Sequence, residues 1–383
     1  MVKKISSIAQ RSLALHKKLR GKIEVSAKTN VRTRDDLALV YTPGVGAVSM
    51  AIAKDPKLAD QLTWKRNSVA IVSDGSAVLG LGNIGPLGAL PVMEGKSVIF
   101  KQFSKIDAVP IVLATQDTEA IIATVKAISP TFGAIQLEDI SAPRCFEIER
   151  RLADELDMPV MHDDQHGTAI VALAGLLNAL KIVRKKSTAI RVVCSGAGAA
   201  GVAIAKLLHA VGVSTIILCD TKGAIFAGRS DLNPSKQELA SFTNPKHERG
   251  SLEQVIAGAD VFIGISKPGV LTPAMIKTMA KNPIIFALAN PTPEIMPDEA
   301  IAAGAAVVAT GRSDFPNQVN NALCYPGLFR GMLDTGIKKV DDAIKIRAAK
   351  AIAGFIKTPT STRIIPTIFD RGLHQAVAKS VKR

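Results

Sequence analysis

Three glycines at fixed spacing constrain this chain more than any other feature. Gly196, Gly198 and Gly201 stand as G-x-G-x-x-G in VVCSGAGAAGVAIAKLL, directly after an apolar run and at the start of a helical pattern. The first permits a tight turn, the second lets backbone approach a pyrophosphate, and the third lets helix and strand pack closely. The helix start then offers unpaired N–H groups and a partial positive charge to phosphates. Asp220, nineteen residues after Gly201, ends the next apolar run, where an acid meets a ribose hydroxyl. With strand, helix and acid in register, Gly196, Ala197, Gly198, Ala199, Gly201 and Asp220 read as a dinucleotide site rather than a structural turn. The nucleotide itself stays open between NAD and NADP. Asp220 repels a 2′-phosphate and so slightly favours NAD, whereas Lys222 and Arg229 nearby would attract one.

The segments around the fingerprint extend it into a fold. A helix is expected from Thr168, followed by strand IRVVCSG, helix GVAIAKLLHAVG and strand TIILCD. After a polar stretch (228–251) come strands DVFIGI (260–265), PIIFALAN (283–290) and AAVVAT (305–310). Strands alternating with helices imply a parallel sheet with crossover helices, here Rossmann-like. Earlier strands are expected at VAIVS (69–73), SVIF (97–100), VPIVL (109–113) and AIQLED (134–139). At 383 residues the chain has room for about two α/β domains. The expected division is 1–160, a dinucleotide domain at 161–345, and a helical segment at 346–383 that returns onto the first. Ile5, Ile8, Ser12, Leu13 and Leu19 recur near helical spacing, with Gly21 placed to end the helix. A retained amphipathic helix, usable as a dimer contact, is favoured there over an organellar targeting segment.

The formal charge of +15 raises nucleic acid as a partner, but the basic residues are dispersed and aromatics are only 4%. Small anions are the better match. Four cysteines lie far apart without CxxC spacing, which fits reduced thiols and a cytoplasmic location. No apolar run approaches the ~20 residues that span a bilayer, so no membrane partner is expected.

Carboxylates gather at two strand ends, Glu138 and Asp139 in AIQLEDIS, and Asp163 and Asp164 in MPVMHDD. The carboxyl ends of parallel strands face the crevice where such sheets bind ligands. Acids converging there repel one another unless a cation sits among them, and all-oxygen ligation suits Mg²⁺ or Mn²⁺. Either pair alone would more simply cap a helix or face water. His162 and His166 are read as turn residues that pack behind the acids, since no H-E-x-x-H pattern or nearby cysteine supports zinc. Lys96, in VMEGKSVIF, and Tyr41, in LVYTPGVG, are ordinary residues in isolation. Beside a divalent cation, the lysine has its pKa pushed down and becomes a base, held by a carboxylate such as Asp163, while Tyr41 can deliver a proton to carbon.

YTPGVG, SDGSAVLGLGNIGPLGALPVMEGKSVIFKQFSKIDAVPI, QLEDI, MHDDQHGTA, SGAGAAG, LANPT and GRSDFPNQVNNALCYPG together resemble the malic enzymes, in their short bacterial-type form. The resemblance implies oxidative decarboxylation of (S)-malate to pyruvate and CO₂ with reduction of NAD(P)⁺, a need for Mg²⁺ or Mn²⁺, and a homodimer. It places the general acid on Tyr41, the general base on Lys96 beside Asp163, and the metal ligands on Glu138, Asp139 and Asp164. It places Asn290, Asn320 and Asn321 against malate or nicotinamide. Larger members carry a carboxylate-binding arginine where this chain has Ala77, so Ser76 and the N–H groups of the loop 80–85 become candidates for that contact. Two rival readings remain at this stage: malolactic conversion on the same architecture, and a basic NAD(P)-sensing protein without catalysis.

Overall fold

A computed structural model describes residues 7–382, so that Ile5 lies outside the described residues. Among these residues, ten strands form two sheets. β1 (Ser68–Ser73), β2 (Asp107–Val112), β3 (Ala134–Leu137) and β4 (Val160–His162) pair in parallel in the order β2-β1-β3-β4. β1 is buried along its whole length, as expected of a β-branched run (SVAIVS) flanked by a strand on each side.

The second sheet contains β5 (Arg191–Ser195), β6 (Thr215–Asp220), β7 (Gly223–Ala224), β8 (Val261–Gly264), β9 (Ile284–Ala287) and β10 (Val307–Thr310). Its order is β10-β9-β8-β5-β6-β7, parallel except for the short antiparallel β7. This is the Rossmann-like sheet. Chain direction across it reverses between β5 and β8, and the carboxyl ends of those strands open the ligand crevice.

Two local expectations fail. SVIF lies inside the helix Gly85–Ser104, not in a strand. Ala89, Met93, Ser97, Phe100 and Ser104 form that helix's buried stripe, and a four-residue apolar run by itself cannot tell a strand from a helix. The helix expected from Thr168 begins at Asp163 and runs 21 residues to Val183. Asp163 and Asp164 occupy its first turn, where the helix dipole favours negative charge. Gly167 is therefore helical, and a β-carbon there would stand 1.9 Å from Oδ1 of Asp163. This helix is long and apolar enough to cross a bilayer, yet most of it is buried inside the protein. It packs against the helices Ala199–Ala210 and Asp342–Phe355.

The helix Leu373–Val381 lies tightly on Tyr325–Thr335, with β-carbons on Gly327 and Gly331 due to meet the His374 and Ala378 carbonyls at 2.6 and 2.5 Å. His374 also meets Phe103 of the helix Gly85–Ser104, at 5.0 Å between ring centroids. The N-terminal helix Ile8–Leu19 is capped by Ser7 and Gln10, and left-handed Arg20 ends it just before Gly21. It buries none of its residues, nor do Arg34–Val40 and Val45–Lys54. Ile8, Leu13, Leu39 and Met50 are 61–82% exposed. The chain leaves this apolar layer uncovered.

Candidate active site

Because Leu137 of β3 pairs with His162 of β4, the residues that follow each strand emerge side by side. Glu138, Asp139 and Asp164 each present a carboxylate oxygen, and these oxygens lie within 4.8 Å of one another. Asp139 takes a left-handed conformation (φ 53°), and its N–H donates to Oδ2 of Asp164 at 2.8 Å. From the helix Gly85–Ser104, Lys96 Nζ reaches Oδ2 of Asp163 at 2.5 Å and Oε1 of Glu138 at 2.7 Å. Glu138 and Asp163 are almost wholly buried. Gln136 donates to the other Glu138 oxygen at 2.8 Å.

The charges in this cluster are out of balance. Burial pushes the Glu138 carboxyl up; Lys96 pulls it down, but Asp164, Asp163 and Asp139 push it up again, leaving it well above the usual range. Burial would also raise Asp164, yet His162, Lys96 and the Asp139 N–H hold it at about 2. Burial would lower Lys96, but Asp163 and Glu138 outweigh it and keep the amine protonated well above its ordinary value. The depressed lysine expected from sequence is therefore not a property of the chain by itself. The donor set fits a divalent cation: three carboxylates, two buried and Asp164 half-buried, oxygen only, in mutual repulsion. A cation there would take over the Glu138 oxygen and so weaken the hold that keeps Lys96 charged.

Further expected residues fall in different places. Tyr41 caps the helix Arg34–Val40, is 66% exposed, and makes no phenol hydrogen bond among the described residues. It is not brought to Lys96. The aromatic ring that does face Lys96 is the buried Tyr325, with its centroid 4.8 Å from Nζ, a cation–π distance. Ser76 cannot serve as expected. Its hydroxyl donates to Asp74 at 2.6 Å and accepts from the Ser141 N–H and from Arg144, at 2.9 and 3.0 Å, which fills its capacity. Asn321 is likewise committed, donating to Oδ2 of Asp163 at 3.2 Å and accepting from Thr168 at 3.1 Å. It braces the partner of Lys96. Asn320 caps the turn after it by accepting from the Ala322 N–H at 2.8 Å. Asn290 is exposed after β9. A β-carbon on Gly80 would stand 1.8 Å from the Asn290 carbonyl oxygen, so the loops after β1 and β9 touch and the two sheets share one crevice.

The three fingerprint glycines stand in different local settings. Gly196 has φ 120° in the turn after β5. Gly198 precedes the helix Ala199–Ala210, and a β-carbon there would meet nothing within 4 Å, which leaves the approach open to a phosphate. A β-carbon on Gly201 would be 2.2 Å from the Gly196 carbonyl oxygen. Asp220 ends β6 and accepts from the Lys222 N–H at 2.9 Å, from Lys236 Nζ at 2.6 Å and from Arg229. Sequence reading missed Glu294, whose buried carboxylate accepts the N–H groups of Ser266 and Ala289 at 2.9 and 3.0 Å, joining the loops after β8 and β9. It also missed Arg144, Glu149 and Tyr325. The only local signal among these was PTPE following the asparagine of LANPT.

Residues 165–382 match the family model described as "Malic enzyme, NAD binding domain", and residues 20–153 match "Malic enzyme, N-terminal domain". The chain belongs to the malic enzyme family. It is 56% identical to the NAD-dependent malic enzyme of Geobacillus stearothermophilus over 380 residues, covering 99% of this chain and 79% of that protein. It is 54% identical to the bifunctional malic/malolactic enzyme of Bacillus subtilis over 380 residues, covering 98% and 93%. The crystal structure of the NAD-dependent malic enzyme from Thermotoga maritima superposes with a TM-score of 0.94 at 48% identity, over 97% of this chain and 98% of that one. As a malic enzyme, the chain oxidatively decarboxylates malate to pyruvate and CO₂ while reducing NAD(P)⁺.

Proposed function

We propose that Glu138, Asp139 and Asp164 hold one Mg²⁺ or Mn²⁺ and that Lys96 is the base of the reaction. The convergence of three carboxylates beside the Lys96–Asp163 pair carries this reading. Lys96 takes the proton from the C2 hydroxyl of malate. Asp163 stabilises the ammonium that results, with Asn321 fixing its carboxylate and Gln136 fixing that of Glu138. A cation held by these carboxylates would supply Lewis-acid polarisation of the C2 oxygen and a bound nicotinamide the acceptor for the C2 hydride, chemistry that would let the carboxylate on C3 leave as CO₂. Tyr41 protonates C3.

Asp220 keeps an acid where the cofactor's adenosine ribose would lie, which favours NAD⁺ over NADP⁺, although Arg229 and Lys236 reduce its charge. Initial rates with malate should be higher with NAD⁺ than with NADP⁺, fall to background in EDTA and return with Mn²⁺. Product analysis should find pyruvate. Lactate without net NADH would instead support the malolactic reading that the Bacillus subtilis relative raises. Persistence of the rate in EDTA would remove the cation from the proposal.

The uncovered N-terminal layer supports a homodimer in which a second copy buries residues such as Leu37, Leu39 and Met50. Tyr41 lies within that layer, and we place it across the interface, acting on the partner's site. Inactive Lys96→Met and Tyr41→Phe chains, dissociated and reassociated together, should then regain about a quarter of wild-type activity, because half the dimers are mixed and each carries one intact site. No regain would place Tyr41 in its own subunit. Buried free thiols at Cys145, Cys194, Cys219 and Cys324 support a reducing, cytoplasmic setting.

A further inference from the structure

Glu149, in the helix Arg144–Glu155, lies outside the carboxylate cluster, yet a run of contacts leads from it to that cluster. Its Oε1 accepts the backbone N–H of His162 at 2.7 Å. Its Oε2 accepts from the Gln165 amide nitrogen at 3.0 Å and stands 2.9 Å from Nε2 of His166. The same amide nitrogen is 3.1 Å from Nδ1 of His162, and across that ring Nε2 is 3.3 Å from Oδ2 of Asp164. His162 is 0% and Gln165 5% exposed, so water does not replace these partners.

The polarity of the run has one consistent direction. Burial would raise the Glu149 carboxyl, but His166 and His162 hold it below its ordinary value, so it is a carboxylate and only accepts. That fixes which end of the Gln165 amide faces it. The amide's second hydrogen then faces Nδ1 of His162, and this contact holds the ring with Nε2 3.3 Å from Oδ2 of Asp164. Oδ2 of Asp164 is thus set between that ring nitrogen and the Asp139 N–H at 2.8 Å. The Asp139 N–H bond and the imidazole packed against the same oxygen restrict the rotation of the carboxylate.

We propose that Glu149 is a positioning residue for the divalent cation, acting through Gln165 and His162 to fix the Asp164 carboxylate. The inference rests on the metal-site reading above. Partners of this kind, one step removed from the ligands, change metal affinity by about 10–100-fold when lost. Glu149→Gln tests it with almost no change of shape. An amide nitrogen facing Gln165 would turn that side chain over, replace the donor at Nδ1 by an oxygen, and loosen the His162 ring from its place against Asp164.

The readout is the Kd for Mn²⁺, from the free-ion EPR signal without malate or cofactor, beside the melting temperature and the Kd for NAD⁺. The expected result is a Kd for Mn²⁺ raised about 10–100-fold, with NAD⁺ affinity unchanged. A purely structural role would lower the melting temperature without selectively weakening Mn²⁺. A folded Glu149→Gln protein whose Mn²⁺ affinity stays within about twofold of wild type overturns the proposal, provided that Asp164→Asn measured alongside loses affinity. If Asp164→Asn also binds Mn²⁺ normally, the failure belongs to the metal site itself. Should Glu149→Gln not fold, Gln165→Leu, which removes the donor to His162, is judged by the same two results.

Discussion

Replacing Lys96 with methionine should lower kcat by about 10²–10⁴-fold, the usual contribution of a positioned acid–base group, while the Kd for NAD⁺ stays within error. Methionine keeps the unbranched stem and removes only the amine. The same change leaves Glu138 and Asp163 facing each other without the ammonium that now lies 2.7 and 2.5 Å from them. Breaking a buried pair from one side costs about 3–5 kcal/mol, so the metal-free variant should also melt at a lower temperature. Mn²⁺ should recover part of that loss and none of kcat. That split separates the amine's chemical role from its role as a counter-charge. A variant that kept kcat within about tenfold of wild type would show that another group removes the proton.

Gly201→Ala should raise the KM for NAD⁺ roughly ten- to a hundredfold, with kcat at saturation little changed. Its β-carbon would stand 2.2 Å from the Gly196 carbonyl oxygen and 2.8 Å from Cδ1 of Ile265. The isoleucine can rotate, but the carbonyl belongs to the phosphate-facing turn and must move with it. Overpacking of this kind costs about 1–3 kcal/mol, which corresponds to the stated range. Gly198→Ala makes the instructive contrast. Its β-carbon meets nothing within 4 Å, so melting without cofactor should be unchanged and only cofactor binding should suffer. Equal melting losses in the two variants would mean that both glycines serve packing alone.

What could be read from sequence was what depends on neighbours along the chain. The fingerprint glycines, Asp220 at the end of its strand, and the acids after β3 and β4 follow from short-range periodicity and strand direction. So do most of the strands themselves. SVIF failed because four apolar residues suit either period, and the buried stripe that decides between them needs the whole helix Gly85–Ser104. Ser76 and Asn321 were taken for ligand contacts because their types suit that work. The Ser76 hydroxyl is instead filled by Asp74, Ser141 and Arg144, while Asn321 also bonds Asp163 and Thr168, partners up to 158 residues away. Glu149 gave no signal at all, since nothing in ERRLADE distinguishes the one carboxylate that turns inward. Tyr41 was legible as a residue type, but a single chain does not bring it to the lysine.

The contact between Gly80 and Asn290 has a consequence for how the crevice keeps its width. The carbonyl of one loop fills the space a side chain would need on the other, 1.8 Å from the position of the missing β-carbon. Main chain rests on main chain there, with no rotamer between them to act as a cushion. The gap between the two halves is therefore gauged by peptide geometry, and repacking elsewhere in either core leaves that gauge where it was.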